Sequence, residues 1–341
     1  MEKFKLTPLF QLNFLIHLSL PYPDNSIFYP YFNRKGFKVK QIEQSIPLEK
    51  NSVKKLNKVF ASKKMVTPEV VLYNDESKEY LLVECKVKPF NLDWNEHSTQ
   101  QAAGYMSLSI DYLKWVFALQ QKHNIKAQLI YSVEQGKEEE MFNTLTAINN
   151  TVQQILGYAM KYDAFGIGVK SDGIYLNFVN NKEAKNIKVA NEKILSNHAV
   201  LYIIPVDING QLDEENKHIL ETQVRNTLRS IIGKNVGPRS FSFNSIEICK
   251  KINPIWEQLP THFKKKMKRW VHNYIKQVIE KISSMGIKVH VHEQNYSFPA
   301  INEQKTQAIR KFLISEKFIE TGQDIFSEFE QITIDEFLDV V

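Results

Sequence analysis

The stretch TPEVVLYNDESKEYLLVECKVK, residues 67 to 88, is the tightest constraint on what this chain can fold into. Two runs rich in β-branched and aromatic residues, VVLYN and YLLVECKV, flank the polar segment NDESKE, which is the pattern of an antiparallel hairpin. Pairing about the midpoint between Glu76 and Ser77 sets Tyr73 against Tyr80, Leu72 against Leu81, Val70 against Val83 and Glu69 against Glu84. Directly opposed residues hold their Cβ atoms about 4.5 to 5.5 Å apart on one face, so the last pair sets two carboxylates against each other. The apolar pairs favour this register and the two charges oppose it. Something positive has to compensate.

A divalent cation would do so, because Mg²⁺ is typically held by one or two carboxylates with water and phosphate oxygens around it. Lys86 lies two residues beyond Glu84, and strand alternation puts its ammonium on the same face. Cys85 is expected to point the other way, into a core that suits a small apolar group. Two carboxylates, a metal and a lysine fit the hydrolysis of a phosphodiester: the metal polarises the phosphoryl oxygen and acidifies a water, and the lysine steadies developing charge.

At these residues the chain resembles the PD-(D/E)XK nuclease superfamily. Pro68-Glu69 stands at the PD position, with Glu in place of the commoner Asp, and Glu84-Cys85-Lys86 stands at ExK. In QQAAGYM, Gln101 and Tyr105 are four apart and share a helical face. They resemble the QxxxY element of the branch that includes the nuclease domains of bacterial recombination helicase-nucleases and of type I restriction motor subunits. The resemblance spans about residues 40 to 135. It implies a restriction-endonuclease-like mixed sheet flanked by helices, with Glu69, Glu84, Lys86, Gln101 and Tyr105 as catalytic residues and Mg²⁺ or Mn²⁺ held by Glu69 and Glu84. Gln101 and Tyr105 are implied to orient the DNA backbone and the lysine. A further acid on an upstream helix is implied as well; Glu43 and Glu49 are the candidates, with Glu43 preferred. The expected activity is a metal-dependent deoxyribonuclease, in restriction or anti-phage defence by analogy. Two alternatives stay open: a silent nucleic-acid-binding or scaffold subunit of the same fold, and an RNA-directed nuclease. In a third reading the hairpin is an amphipathic surface feature with Glu84 and Lys86 as solvated charges.

The rest of the chain bounds these expectations. At 341 residues, two domains are expected. Residues 1–185 read as the α/β nuclease-like domain. Residues 186–341 read as a mostly helical one for DNA contact, dimerisation or partner docking, which makes a homo-oligomer one of the expected assemblies. Helical patterns fall over 53–63, 95–121 and 138–161, strand patterns over 127–133 and 198–206, and a hairpin over 165–179 turning at Ser171-Asp172-Gly173. Residues 180–198 lose apolar periodicity and read as a junction. Two amphipathic helices follow, the first ending at Gly233 and the second being THFKKKMKRWVHNYIKQVIEKIS.

Only Cys85 and Cys249 occur, which excludes a disulfide framework and fits a reducing, cytoplasmic setting. The run LFQLNFLIHLSL, 9 to 20, contains Gln11, Asn13 and His17, is too short to span a bilayer and reads as a buried helix, so no membrane partner is expected. Residues 1–64 carry twelve Lys or Arg against four acids, while residues 320–341 carry seven acids and no Lys or Arg. That asymmetry suggests a polyanion-facing half and an acidic tail. No G-x-x-x-x-G-K-[ST] loop occurs, so any motor of the kind coupled to the resembling nucleases is expected as a separate ATPase, helicase or other defence subunit. His290 and His292 alternate on a strand-like segment and read as half-exposed strand residues. His97 shares the four-residue step of Asp93, Gln101 and Tyr105 and reads first as a surface histidine. The KKKMKR lysines, 264 to 269, offer phosphate contacts, with Phe263, Trp270 and Tyr274 assigned to the core.

Overall fold

The apolar N-terminal run forms helix α1 (Pro8–Ser19), opened by Pro8 and by the Thr7 hydroxyl, which accepts the Phe10 N–H at 3.1 Å. Every residue of α1 from Phe10 to Ser19 is buried. The computed structural model describes residues 6–23, 26–117, 124–181, 185–196, 201–205, 208 and 214–314. It divides into two units, 1–197 and 198–341.

In the first unit, α1 is followed by α2 (Tyr31–Arg34), β1 (Phe37–Ile42), β2 (Ile46–Pro47), α3 (Lys50–Leu56), β3 (Met65–Val66), β4 (Val70–Asn74) and β5 (Glu79–Cys85). Then come α4 (His97–Met106), α5 (Ile110–Val116), β6 (Lys126–Glu134), α6 (Glu138–Leu156), β7 (Lys161–Lys170), β8 (Gly173–Phe178) and β9 (Ile187–Asn191). Seven strands make one curled, mixed sheet in the order β1-β4-β5-β6-β7-β8-β9, and β2 and β3 pair separately. Strands β5, β6 and β7 are parallel to one another, and the outer pairs are antiparallel. The architecture is α/β, with helices flanking the sheet.

The hairpin pairs as its sequence requires: Val70 with Val83, Leu72 with Leu81, Tyr73 with Tyr80. From Tyr80 to Cys85, β5 is buried on both faces, which is why it reads as a continuous apolar run rather than an alternating one. One core packs Val71, Tyr80, Leu82, Leu129, Tyr131 and Val133 of the sheet against Ala102, Tyr105 and Met106 of α4 and Met141, Leu145, Ile148 and Val152 of α6.

Several expected boundaries move, each for a local reason. The helix expected over 95–121 is two helices, because the Ser109 hydroxyl accepts the Tyr112 N–H at 3.2 Å and starts α5; residues 118–121 lie outside the described residues. Helix α6 stops at Leu156 rather than 161, capped by Gly157 in the left-handed region at φ 83°. The polar stretch expected as a junction contains β9, a short edge strand of the first unit. Of the strand expected over 198–206, the described part, 201–205, forms no strand.

The second unit contains α7 (Glu214–Asn235), β10 (Phe241–Asn244), α8 (Ser245–Ile252), α9 (Thr261–Ser284), β11 (His290–His292), β12 (Asn295–Phe298) and α10 (Glu303–Ile314). Helix α7 runs past Gly233, which does not adopt the left-handed conformation that would end it there. The three strands form a sheet of order β10-β12-β11. Among the described residues, no helix is long and apolar enough to cross a membrane.

Gly104 lets α4 approach β3 and the residue that follows β2: a Cβ there would lie 2.7 Å from Val66 Cγ1 and 3.2 Å from Leu48 Cδ1. Gly104→Val is therefore expected to lower stability by about 1–3 kcal/mol through overpacking, measured by denaturant unfolding. An unchanged midpoint would show that this contact yields freely.

Candidate active site

The site lies at the carboxyl end of β5, where β5 runs parallel to β6, the edge at which open α/β sheets place ligands. Glu84 is the penultimate residue of β5 and is buried; Lys86 follows the strand with its side chain 30% exposed. The Lys86 Nζ lies 2.9 Å from Glu84 Oε1, so the two side chains share a face as the alternation requires.

Two residues of α4 close on the same carboxylate. Tyr105 donates its hydroxyl to Glu84 Oε2 at 2.7 Å. Gln101 donates Nε2 to Glu84 Oε1 at 3.2 Å and to the Tyr105 hydroxyl at 3.2 Å. Burial, and then the neighbouring Glu84 charge, pushes the Tyr105 hydroxyl well above its ordinary range, so it stays a neutral donor. The expected Gln–Tyr pair is thus present, and its hydrogen bonds go to Glu84 rather than to the lysine.

Glu69 immediately precedes β4, in line with the register that opposes it to Glu84. Its Oε2 accepts the Cys85 N–H at 2.9 Å. Burial and then the Glu84 charge raise the Glu69 carboxyl from 4.5 to about 8, against the lowering effects of the Cys85 bond and Lys86. Burial would lower the Lys86 ammonium, yet Glu84 and Glu69 together leave it raised, so it stays charged. Cys85 is buried, as expected, but its thiol abuts the Glu69 carboxylate and the Ser132 hydroxyl, and burial pushes it well up. It is part of the site's wall rather than a purely apolar filler.

Glu43 lies just past β1, not on a helix, with φ 45°. Its backbone N–H donates to the Glu69 carbonyl at 3.0 Å, which sets the residue beside Glu69, and its side chain is half-buried. Glu49 is elsewhere, at the start of α3, with Oε2 3.5 Å from the Ser52 hydroxyl. His97 opens α4 at the exposed rim; partial burial, Lys63 and Lys86 lower its pKa against the pull of Glu84, so it senses the site's charges. Asp93 precedes the helix and is exposed, its carboxylate accepting the Asn95 N–H at 2.9 Å.

Sequence reasoning missed two residues. Gln11 of α1, fully buried, donates Nε2 to the Lys86 carbonyl at 3.1 Å and accepts the Ser132 hydroxyl at 3.1 Å. Because the Lys86 N–H also donates to the Ser132 carbonyl at 2.9 Å, the lysine's backbone is held on both sides. The signal was an amide inside an apolar helix, since a buried polar group needs a partner. Tyr131 stands in register with Glu84 on β6 and is fully buried, and its hydroxyl has no hydrogen-bond partner among the described residues.

These residues fit a divalent cation by their chemistry. Two carboxylates lie together with one ammonium, one of them held neutral by burial and by the other's charge, and an unpartnered hydroxyl lies beside them. Among the described residues there is no group of three or more His, Cys, Asp or Glu placed to hold a metal; a carboxylate pair completed by water and substrate oxygens is the donor set that Mg²⁺ commonly uses. His290 and His292 lie exposed on β11, outside any such group.

Residues 9–139 are similar to a family described as the MJECL32 domain. The matched stretch contains Gln11, Glu43, Glu69, Glu84, Lys86, Gln101, Tyr105 and Tyr131, and its description states no activity. Neither the curated proteins nor the solved structures contain a match to this chain.

The raised Glu69 carboxyl gives stability a defined pH dependence. An unfolded glutamate titrates near its ordinary 4.5, so as pH rises the unfolded chain loses its proton before the folded one does. The stability contributed by neutral Glu69 is complete below that value and is lost as pH climbs to about 8. Without divalent cations, the melting temperature of the wild type should fall relative to Glu69→Gln by a few °C across this window. Parallel curves would show that Glu69 is not held neutral.

Proposed function

We propose that the first unit is a metal-dependent deoxyribonuclease of PD-(D/E)XK type. The observation that carries this reading is the convergence of Glu69, Glu84 and Lys86 at the end of a parallel strand, with Gln101 and Tyr105 fixed on Glu84. Glu69 and Glu84 would hold Mg²⁺ or Mn²⁺, which supplies Lewis-acid polarisation of a phosphoryl oxygen and a water of lowered pKa when bound.

The chain's own residues do the rest. Gln101 and Tyr105 fix the Glu84 carboxylate from both oxygens, so its orientation is set before substrate arrives. The Lys86 ammonium, charged and partly exposed, can meet the charge that develops on a phosphate oxygen as the P–O bond breaks. Gln11 and Ser132 hold the lysine's backbone, which limits how far that ammonium can drift. The carboxylate pair favours this reading over a surface hairpin, because Glu84 is buried with Glu69 half-buried beside it, and paired, desolvated carboxylates of perturbed pKa cluster at functional sites.

The test is cleavage of linear and supercoiled duplex DNA, single strands and matched RNA with Mg²⁺, Mn²⁺ or EDTA. Wild type should cut DNA only with metal, and Lys86→Ala and Glu84→Ala should each lower the rate by about 100-fold or more. Tyr105→Phe should raise the metal concentration needed for half-maximal cutting, a change that general loosening of the fold would not produce. No cutting by wild type, with DNA bound equally well by the mutants, would identify a silent subunit. Cutting confined to RNA would reassign the substrate.

A further inference from the structure

The chain order of the second unit sets two helices between strands: β10, α8, an eight-residue connection holding the 3-10 turn Trp256–Gln258, α9, and then the antiparallel pair β11–β12, with β12 closing back on β10. The first helix is well defined, since Asn244 and Glu247 form a reciprocal capping box at its start. Ile248, Cys249 and Ile252 of α8 are buried, as are Phe263, Met267, Val271, Tyr274, Ile275 and Val278 of α9. The apolar stripe of α9 is therefore consumed within its own unit. The His272 ring bonds the Tyr296 hydroxyl at 2.6 Å, which ties the middle of α9 to β12.

What α9 leaves exposed is cationic. The helix has 24 residues, and its sequence holds seven Lys or Arg and a single acid, Glu280. Some of the lysines are engaged: Lys264 reaches the Glu257 carbonyl at 2.9 Å, and Lys266 reaches the Ile208 carbonyl at 3.4 Å. Lys265, Arg269 and Lys276 are exposed and form no ion pair among the described residues. Their spacing of four and seven puts them on one stripe about 16 Å long, which also carries Asn273 and, four residues past Lys276, the exposed Glu280, with Gln277 further round the helix. Over residues 214–314, eighteen Lys and Arg stand against eight Asp and Glu, so the surroundings reinforce the charge.

We infer that the second unit docks duplex DNA, with the Lys265–Arg269–Lys276 stripe of α9 facing the major groove. The inference is independent of the nuclease reading. A groove about 12 Å wide admits an α-helix, basic side chains reach the flanking phosphates, and Asn and Gln can bond adenine edges. Other polyanions fit less well. Single strands are held by stacking on exposed aromatics, but Phe263 and Tyr274 are buried and Trp270 packs edge-on to Phe263. Duplex RNA has a major groove too deep and narrow for side chains to read. A membrane surface would need a free apolar face on this helix, and that face is already core.

The experiment is fluorescence anisotropy on the full chain in EDTA, which removes cleavage from the readout, with a labelled DNA duplex of about 25 base pairs, its single strand and the matching RNA duplex, across about 50 to 200 mM salt. The triple variant Lys265→Ala, Arg269→Ala, Lys276→Ala should bind duplex DNA at least about 10-fold more weakly and reduce the slope of log affinity against log salt by about 2 to 3. The pair Arg310→Ala, Lys311→Ala, also exposed but on α10, should stay within about threefold of wild type. A charge-keeping variant, Lys265→Arg with Lys276→Arg, should retain affinity and so separate lost contact from lost folding. Unchanged binding and slope in the triple variant would overturn the inference. So would an equal loss in the α10 pair, or single strands or duplex RNA binding as tightly as duplex DNA. A failed cleavage assay alongside the expected binding changes would remove the nuclease reading and leave this one standing.

Discussion

The first unit is organised around the placement of two carboxylates side by side at the end of a buried hairpin. Four apolar and aromatic pairs along β4 and β5 fix the register, and that register carries Glu69 to Glu84 whatever the charges prefer. The surrounding groups answer the consequence. Lys86 supplies one positive charge, the Cys85 N–H and the Tyr105 and Gln101 donors supply hydrogen bonds, and Glu69 keeps its proton near neutral pH. Helix α4 must come close for its donors to reach, which is why Gly104 faces Val66 and Leu48 without a side chain. Helix α1 is tied in through Gln11, so three elements distant in sequence meet at one lysine.

Much of this is legible in the amino-acid sequence alone, for identifiable reasons. Strand alternation has a period of two, so one correct midpoint fixed every pair from Tyr73–Tyr80 to Val70–Val83, and a four-residue step placed Gln101 and Tyr105 on one helical face. What escaped depended on contacts across the fold. Gln11 lies 75 residues from Lys86, and nothing local marks it except its polarity within an apolar helix. The partners of Gln101 and Tyr105 could not be read from spacing, which gives a face but not what the face meets. Strand β9 was missed because an edge strand needs little apolar periodicity, and the split between α4 and α5 because a single serine hydroxyl decides it. Glu43 was placed near the site for the wrong local structure: it follows a strand, and a backbone bond to Glu69 brings it there.

In the two roles proposed, the units would act on nucleic acid by different physics. In the first, a small number of buried groups with perturbed protonation would act on one phosphodiester, so single substitutions should change rate and metal demand. In the second, exposed cations on one helix would contribute additively and weaken with salt. That difference lets catalytic and docking roles be separated by substitutions that leave the other unit intact. The acidic segment noted near the C-terminus, residues 320–341, lies outside the described residues.

The central claim is that Glu69 and Glu84 form a cation site whose charge is held in check by a proton on Glu69, and calorimetric titration with Mn²⁺ at pH 7 in two buffers of different ionisation enthalpy tests it most directly. A carboxyl raised to about 8 must give up its proton to a bound cation, so wild type should release about one proton per ion, Glu69→Gln none, and Glu84→Ala should not bind. Absence of Mn²⁺ binding by the wild type, or equal binding and proton release in Glu84→Ala, would contradict the account.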